Sequence, residues 1–335
     1  MADEGDGARF VVIGGGTGSF TLLSGLKKYA RHITALVNMA DDGGSTGQLR
    51  DELGVLPPGD VRQCLVALSE SPKTRDLFNY RFEEGTFKGH AFGNLFLTAL
   101  EKMTGSFAEA VEVASEVLKI QGNVEPVTLD SVRLGMRWPD KKVLLEGERV
   151  IDADIFQHDP RTAELFLEPE ARVNPAALQA IAAADIVVIA PGDLYTSLGS
   201  LLIIDGIGEA LATTAAKVVY VCNLVTKRGQ TDGFTVSDHV AEIERFTGKN
   251  VVDYVIYNNA EPTAETAERY EEEGAYTVAY DHEVLADAHY EAVGADLLGQ
   301  TITHATGGNL PQVTRGFIRH NSDAVARQLM RIYFA

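Results

Sequence analysis

The sequence predicts an α/β fold with a mostly parallel sheet, and three features predict it. Short apolar, β-branched runs recur along the chain, as at Arg9–Ile13, Asp185–Ala190, Lys217–Cys222 and Asp253–Tyr257, in the manner of strands buried on both faces. Stretches with helical apolar spacing alternate with them. The first run stops at a glycine-rich turn that leads into a helical pattern, as in a mononucleotide-binding β-α-β unit.

Arg9–Ile13 is the first expected strand. Phe20, Leu22, Leu23 and Leu26 repeat at helical spacing and predict a helix over Ser19–Tyr29; Ile33–Asn38 is the second strand, reached by a right-handed crossover. Past Pro57-Pro58-Gly59, Asp60 is placed to cap a helix running to about Leu68, and Lys73–Phe82 and Ala91–Met103 carry further helical patterns. Ser106 is the expected N-cap of a helix over Phe107–Ile120. Residues 124–160 alternate instead: Val127–Trp138 and Lys142–Ile151, broken by Pro139-Asp140 and Glu146-Gly147, predict an inserted β-hairpin region. The parallel pattern returns with a helix over Asn174–Ala184, the strand Asp185–Ala190 and a helix around Leu201–Ala212. The strand Lys217–Cys222, the helix Ser237–Phe246 and the strand Asp253–Tyr257 follow. Ser322–Tyr333 reads as an amphipathic helix with Val325, Leu329, Ile332 and Tyr333 on one side. No repeat or linker divides the chain, so residues 9–335 are expected to form one domain, preceded by a flexible, acidic, glycine-rich N-terminus over residues 1–8.

The 335 residues are 45% hydrophobic and 23% charged, the balance of a globular protein with a large core. The net charge of −19 repels a nucleic-acid backbone or an anionic membrane surface over most of the exterior, which argues against polyanion binding as the main role. A local phosphate site stays compatible with that charge, because backbone N–H groups and helix N-termini attract anions unaided. No apolar run reaches the ~18 residues of a membrane span, and the N-terminus lacks the basic and apolar regions of a signal peptide; the expected location is cytoplasmic. Cys64 and Cys222 have no C-x-x-C partner and read as reduced, buried thiols.

Chemistry-bearing residues concentrate where loops should leave strands. In Gly14-Gly15-Gly16-Thr17-Gly18-Ser19 the glycines permit positive φ and close backbone approach, while the next helix aims its first N–H groups at an anion. The bland alternative is a tight strand-to-helix turn: Ser19 stands where a dinucleotide fingerprint has its third glycine, and no lysine completes a P-loop. Asp41-Asp42-Gly43-Gly44-Ser45-Thr46-Gly47 sets two carboxylates among free amides, suited to a ribose, a substrate hydroxyl or a Mg²⁺ ion bridging to phosphate. Its plainer reading is an Asx-turn cap for a short helix over Gln48–Leu53. Asn94 begins an apolar helix and is a better ligand contact than His90, whose ordinary role is a cap or a satisfied surface side chain. Ala190-Pro191-Gly192-Asp193-Leu194-Tyr195-Thr196-Ser197 repeats the strand-turn-helix geometry, with Ser197 alone reading equally as a cap. Asn223 and Asn258 lie just past strand ends, the first followed by Thr226, Gln230, Thr231 and Asp232. In an open parallel sheet such loops converge on one crevice. No histidine or cysteine cluster with metal spacing, no G-x-S-x-G and no evident nucleophile accompanies them; binding is legible and turnover is not.

Taken in order, Gly14–Gly18, Asp41–Gly47, Pro57-Pro58-Gly59-Asp60-Val61-Arg62, Gly89-His90 with Gly93-Asn94, and Pro191–Ser197 resemble the YvcK family of gluconeogenesis-factor-like proteins. That family is a branch of the superfamily containing 2-phospho-L-lactate transferase (CofD), and the likeness extends through Val221–Thr226 and Thr231–Phe234 to Asp238-His239, over about residues 9–333. The resemblance implies a Rossmann-like three-layer α/β/α sandwich that binds a UDP-sugar such as UDP-N-acetylglucosamine, with a role in cell shape, envelope synthesis and carbon-source adaptation. It implies a cleft lined by Gly15, Gly16, Thr17, Gly18, Asp41, Asp42, Ser45, Asn94, Gly192, Leu194, Tyr195, Thr196, Asn223 and Asp232. No required cofactor comes with it; a regulatory protein partner and a homodimer are compatible with it. The Asp-Asp-Gly-Gly-Ser and Pro-Pro-Gly-Asp segments favour the regulator branch over the transferases.

Three functions stay open at this stage. The first is a UDP-sugar-binding regulator. The second is a phospholactyl-type transferase with a nucleotide donor and Mg²⁺ on Asp41 or Asp42. The third is an NAD-type dinucleotide binder.

Overall fold

The computed structural model describes residues 7–299 and 319–335. Of the expected flexible N-terminus, residues 1–6 lie outside the described residues, whereas Ala8 is buried in the core. The strands are β1 (Arg9–Gly14), β2 (His32–Val37), β3 (Asn123–Pro126), β4 (Arg133–Trp138), β5 (Val143–Glu146), β6 (Glu164–Glu168), β7 (Ile186–Ile189), β8 (Lys217–Val221), β9 (Tyr254–Asn258) and β10 (Glu291–Ala295).

Seven of them form one sheet in the order β10-β9-β8-β7-β1-β2-β3, with every neighbouring pair parallel. The central strands are apolar because helices cover both faces: Phe10–Ile13, Ile186–Ile189 and Val218–Val221 are all buried. The helices Gly16–Leu26, Gly59–Leu68 and Ser322–Phe334 pack as one group, and Pro175–Ala182, Ile207–Thr213 and Val236–Thr247 as another. The α/β class and the Rossmann-like layering expected from the sequence are thus present. Local capping also follows sequence: Ser106 Oγ accepts from Glu109 N–H at the start of Phe107–Leu118, and Thr235 with Asp238 forms a capping box.

Several boundaries differ, each for a tertiary reason. Residues 124–126 are not part of an insertion, since β3 pairs with β2 at the sheet edge. The inserted unit is a three-stranded antiparallel sheet, β5-β4-β6. Lys142–Ile151 does not form one strand either: at Gly147, with φ 98°, the chain leaves β5 and turns into the helix Glu148–Ala153. The helix expected around Leu201–Ala212 is broken at Gly206 into Gly199–Leu202 and Ile207–Thr213, preceded by a π-helical turn over Leu194–Leu198. Asp60 does not cap its helix; Pro58 holds the N-cap and the Asp60 side chain is buried in the first turn. β10 was not anticipated because an edge strand with one open face, Glu291-Ala292-Val293-Gly294-Ala295, lacks a continuous apolar run. Both thiols are free and buried, as expected.

Candidate functional site

The strand order places β1 between β2 and β7, so the chain departs from the central pair in opposite directions and leaves a crevice beyond their carboxyl ends. The loops after β1 and β7 meet there. A Cβ on Gly18 would lie 1.8 Å from the Pro191 carbonyl oxygen, so only glycine lets the two segments touch. Gly16–Leu26 starts three positions earlier than the apolar spacing suggested, which puts Thr17 and Gly18 in its first turn.

Gly16 opens the helix at φ +62°, with nothing within 4 Å of where a Cβ would stand. The space beside its Cα is therefore open, while its N–H is taken by the Asp60 carboxyl. Gly16→Ala is expected to weaken phosphate binding at least tenfold while lowering stability by only about 1 kcal/mol, the cost of a left-handed non-glycine residue. Ligand titration alongside urea unfolding would check this; wild-type affinity would mean that the loop is only a turn.

Asp60 is the neighbour that sequence reasoning missed. Its carboxyl accepts from Gly16 N–H, and a Cβ on Gly15 would lie 2.1 Å from Asp60 Oδ2. Burial, and then the charge of Asp41, push its pKa up to about 7. Glu148, on the inserted helix Glu148–Ala153, joins the same group: burial first, then Asp41, Asp152, Asp60 and Asp42, push its pKa up to about 9. Only its tertiary position reveals Glu148; no motif marks it. The Pro57–Asp60 segment was a signal for Asp60, but it read as a cap.

Asp41 and Asp42 do not act as a pair. Asp41 Oδ1 accepts from Gly43 N–H at 2.9 Å, the Asx-turn of the plainer reading, and Thr46 bonds the same carboxylate. Burial raises the Asp41 pKa. Asp42 points the other way, accepting from Arg149 N–H at 2.8 Å and lying 4.0 Å from Arg133, where it ties its loop to the inserted unit. A cavity of about 620 Å³, lined by Asp42, Arg133, Glu146, Gly147, Arg149, Val150, Ala153 and Asp154, opens on that side.

Ser45, His90 and Asn94 do converge. Ser45 Oγ meets His90 Nδ1 at 2.9 Å and accepts from Asn94 Nδ2 at 3.3 Å, and Asn94 Oδ1 accepts from Arg62 Nε at 2.9 Å. On the β7 side, Asn223 clamps Gly192 with both ends of its amide, at 3.2 and 2.8 Å. Leu194 and Tyr195 turn their side chains into the core, where Tyr195 OH donates to Glu242 at 2.8 Å, so neither side chain lines the crevice. The Thr196 side chain is buried with an unpartnered Oγ1. Asp232 is exposed on the turn beyond Asn223, accepting from Gly229 N–H, while Lys227 of that turn pairs with Asp152 and Asp193. Asn258 is spent on the backbone of Ala260 and Leu297.

The site thus offers two helix starts, of which the Gly16 N–H is already held by Asp60, carboxyls whose pKa burial raises, and the buried guanidinium groups of Arg62 and Arg50. Cys64 and Cys222 are not nucleophiles here, as burial pushes both thiols up, Cys222 to about 12. Among the described residues no three His, Cys, Asp or Glu side chains stand close enough to hold a metal ion, and no helix is long and apolar enough to cross a membrane.

A family model described as 2-phospho-L-lactate transferase CofD matches residues 10–298. A gluconeogenesis factor of Halalkalibacterium halodurans is 42% identical over 279 residues, covering 82% of this chain and 85% of that one. The gluconeogenesis factor of Bacillus subtilis is 37% identical over 331 residues, 97% of this chain and 98% of that one. A crystal structure of a UPF0052 family member from Bacillus halodurans superposes with a TM-score of 0.85 at 36% identity, covering 97% of this chain and 100% of that chain. The chain belongs to the 2-phospho-L-lactate transferase CofD family, among the gluconeogenesis factors, or YvcK-type proteins.

Proposed function

We propose that this protein is a cytoplasmic regulator that binds a UDP-sugar of the UDP-N-acetylglucosamine type in the β1/β7 crevice, linking the level of that ligand to cell-shape, envelope and carbon metabolism. The observation that carries the reading is the meeting of two helix starts, at Gly16 and Leu194, across a contact that only Gly18 permits. Two such N-termini suit a pyrophosphate, and the carboxyls of Asp41 and Glu148 suit sugar hydroxyls. A bound ligand would shift a surface that a protein partner reads.

A thermal-shift screen against UDP-N-acetylglucosamine, UDP-glucose, GDP and NAD tests it, because a ligand that binds only the folded state raises the midpoint. The expected result is a rise with the uridine nucleotides; none with either of them would sink the reading. NAD is the weaker candidate. The end of β2 carries Asn38, buried and bonded to Ala40 N–H and Ser200, where a dinucleotide site would place a ribose-binding acid.

The name of the matching family model favours a second reading, a transferase with a nucleotide donor. Asp41 and Asp42 diverge and are each spent on backbone amides, so they do not fit a shared Mg²⁺ site. Product formation from a phospholactyl-nucleotide donor and a deazaflavin acceptor would support the transferase over the regulator.

A further inference from the structure

We propose that Arg62 is a fixed positive charge of the cleft and pairs with a phosphoryl group of the bound ligand. This rests on the reading of the crevice as a nucleotide-diphosphate site and names the side chain that meets the charge. Arg62 is 8% exposed. Two neutral amides hold its guanidinium: Nε donates to Asn94 Oδ1 at 2.9 Å and Nη1 to Asn79 Oδ1 at 2.5 Å. Nη2 has no protein hydrogen bond among the described residues, and no carboxylate there forms an ion pair with the group. The neighbouring charges are Asp60, Asp41 and a second arginine, Arg81.

Elsewhere in the same protein the exposed Arg245 is neutralised directly by Glu242 at 2.6 and 2.8 Å, whereas Arg50, also buried without a carboxylate partner, is turned to Ser131 and the Val132 carbonyl. A buried guanidinium without a counter-ion is costly, yet this one has a slot made for it. A Cβ on Gly93 would lie 2.7 Å from Arg62 Cδ and 2.8 Å from Phe78 Cδ1, so any side chain at 93 would crowd the arginine stem. Burial, and then Arg81, pull its pKa down only to about 10, which leaves it charged at neutrality. The Asn94 amide orients the fork without neutralising it and connects it through Ser45 to the Asp41 loop. A planar fork with free donors matches a phosphoryl group, whose oxygens accept in parallel. In a chain of net charge −19, with carboxyls on the same crevice, an anionic ligand needs such a counter-charge.

The alternative is that Arg62 only ties Asn79 to Asn94. Isothermal titration of the full chain with inorganic pyrophosphate and with UDP, for wild type, Arg62→Gln and Arg62→Lys, separates the two, together with unliganded melting midpoints. The expected result is that Arg62→Gln keeps or raises the unliganded midpoint, because an uncompensated buried charge is gone, and binds both probes at least about thirtyfold more weakly. Should Arg62→Gln melt early, Arg62→Lys decides: pyrophosphate binding tighter than in Arg62→Gln supports the proposal, and binding no tighter than in Arg62→Gln overturns it. Wild-type affinity in Arg62→Gln overturns it while leaving the nucleotide reading intact. Arginine-dependent binding of pyrophosphate without binding of UDP would leave Arg62 in place and remove the uridine nucleotide. No binding of either probe by wild type would remove both.

Discussion

Gly18→Ala is expected to part the two ligand loops, lower stability by about 2–4 kcal/mol and abolish nucleotide binding. The new methyl carbon would stand 1.8 Å from the Pro191 carbonyl oxygen and 2.8 Å from its carbon. Both are backbone atoms, so relief requires the β7 loop or the first turn of Gly16–Leu26 to move. Either movement separates the helix starts at Gly16 and Leu194. The contrast with Gly16→Ala is informative: position 16 has open space and a left-handed backbone, so the same methyl group there should cost less stability. Urea unfolding and ligand titration on both variants would show the difference, and equal effects at 16 and 18 would mean that the loop contact is not tight.

Glu148→Gln should make the unliganded protein more stable above neutral pH. A glutamate whose folded pKa stands near 9, against about 4.3 for the unfolded chain, holds its proton in the folded state where the unfolded chain has released it. Stability from this group is then full below about pH 4 and is lost as pH rises towards 9. Glutamine keeps the shape and cannot ionise, so variant and wild type should differ by only about 1 kcal/mol at pH 5 and by about 5 kcal/mol at pH 8.5. Asp41, Asp42, Asp60 and Asp152 are the charges that face Glu148, and Asp60, with a pKa of about 7, adds to the wild-type slope in the same sense. Urea unfolding at pH 5, 7 and 8.5 measures the difference, and a pH-independent one would show that Glu148 is solvated and ionised. Phosphate ligands should likewise bind more tightly at pH 6 than at pH 8.5, since protonated Asp60 and Glu148 donate where their anions repel.

Much of the site's outline was readable beforehand because it is local. Glycines after a strand, Asp41 two residues before Gly43, and Asn223 at a strand end carry their geometry within a few residues. The residues that were missed act across the fold. Asp60 and Arg62 share one helix turn, yet one faces Gly16 and the other Asn94 and Asn79. Glu148 comes beside Asp41 and Asp60 from an inserted helix whose end Gln230 holds through the carbonyls of Ile151, Asp152 and Asp154. Tyr195 sits in the right segment, but the π-helical turn sends its ring to Phe156, Phe246 and Glu242.

The sequence by itself determined the alternation of buried strands and amphipathic helices, the glycine loops at the strand ends, and the family to which those motifs belong, because periodicity and backbone freedom are properties of neighbouring residues. Only the tertiary structure decided the strand order that opens the crevice between β1 and β7, the divergence of Asp41 from Asp42, and the company of Asp60, Glu148 and Arg62. Those depend on which distant segments share a dry space, where burial sets who holds a proton and whose charge is left for a ligand to meet.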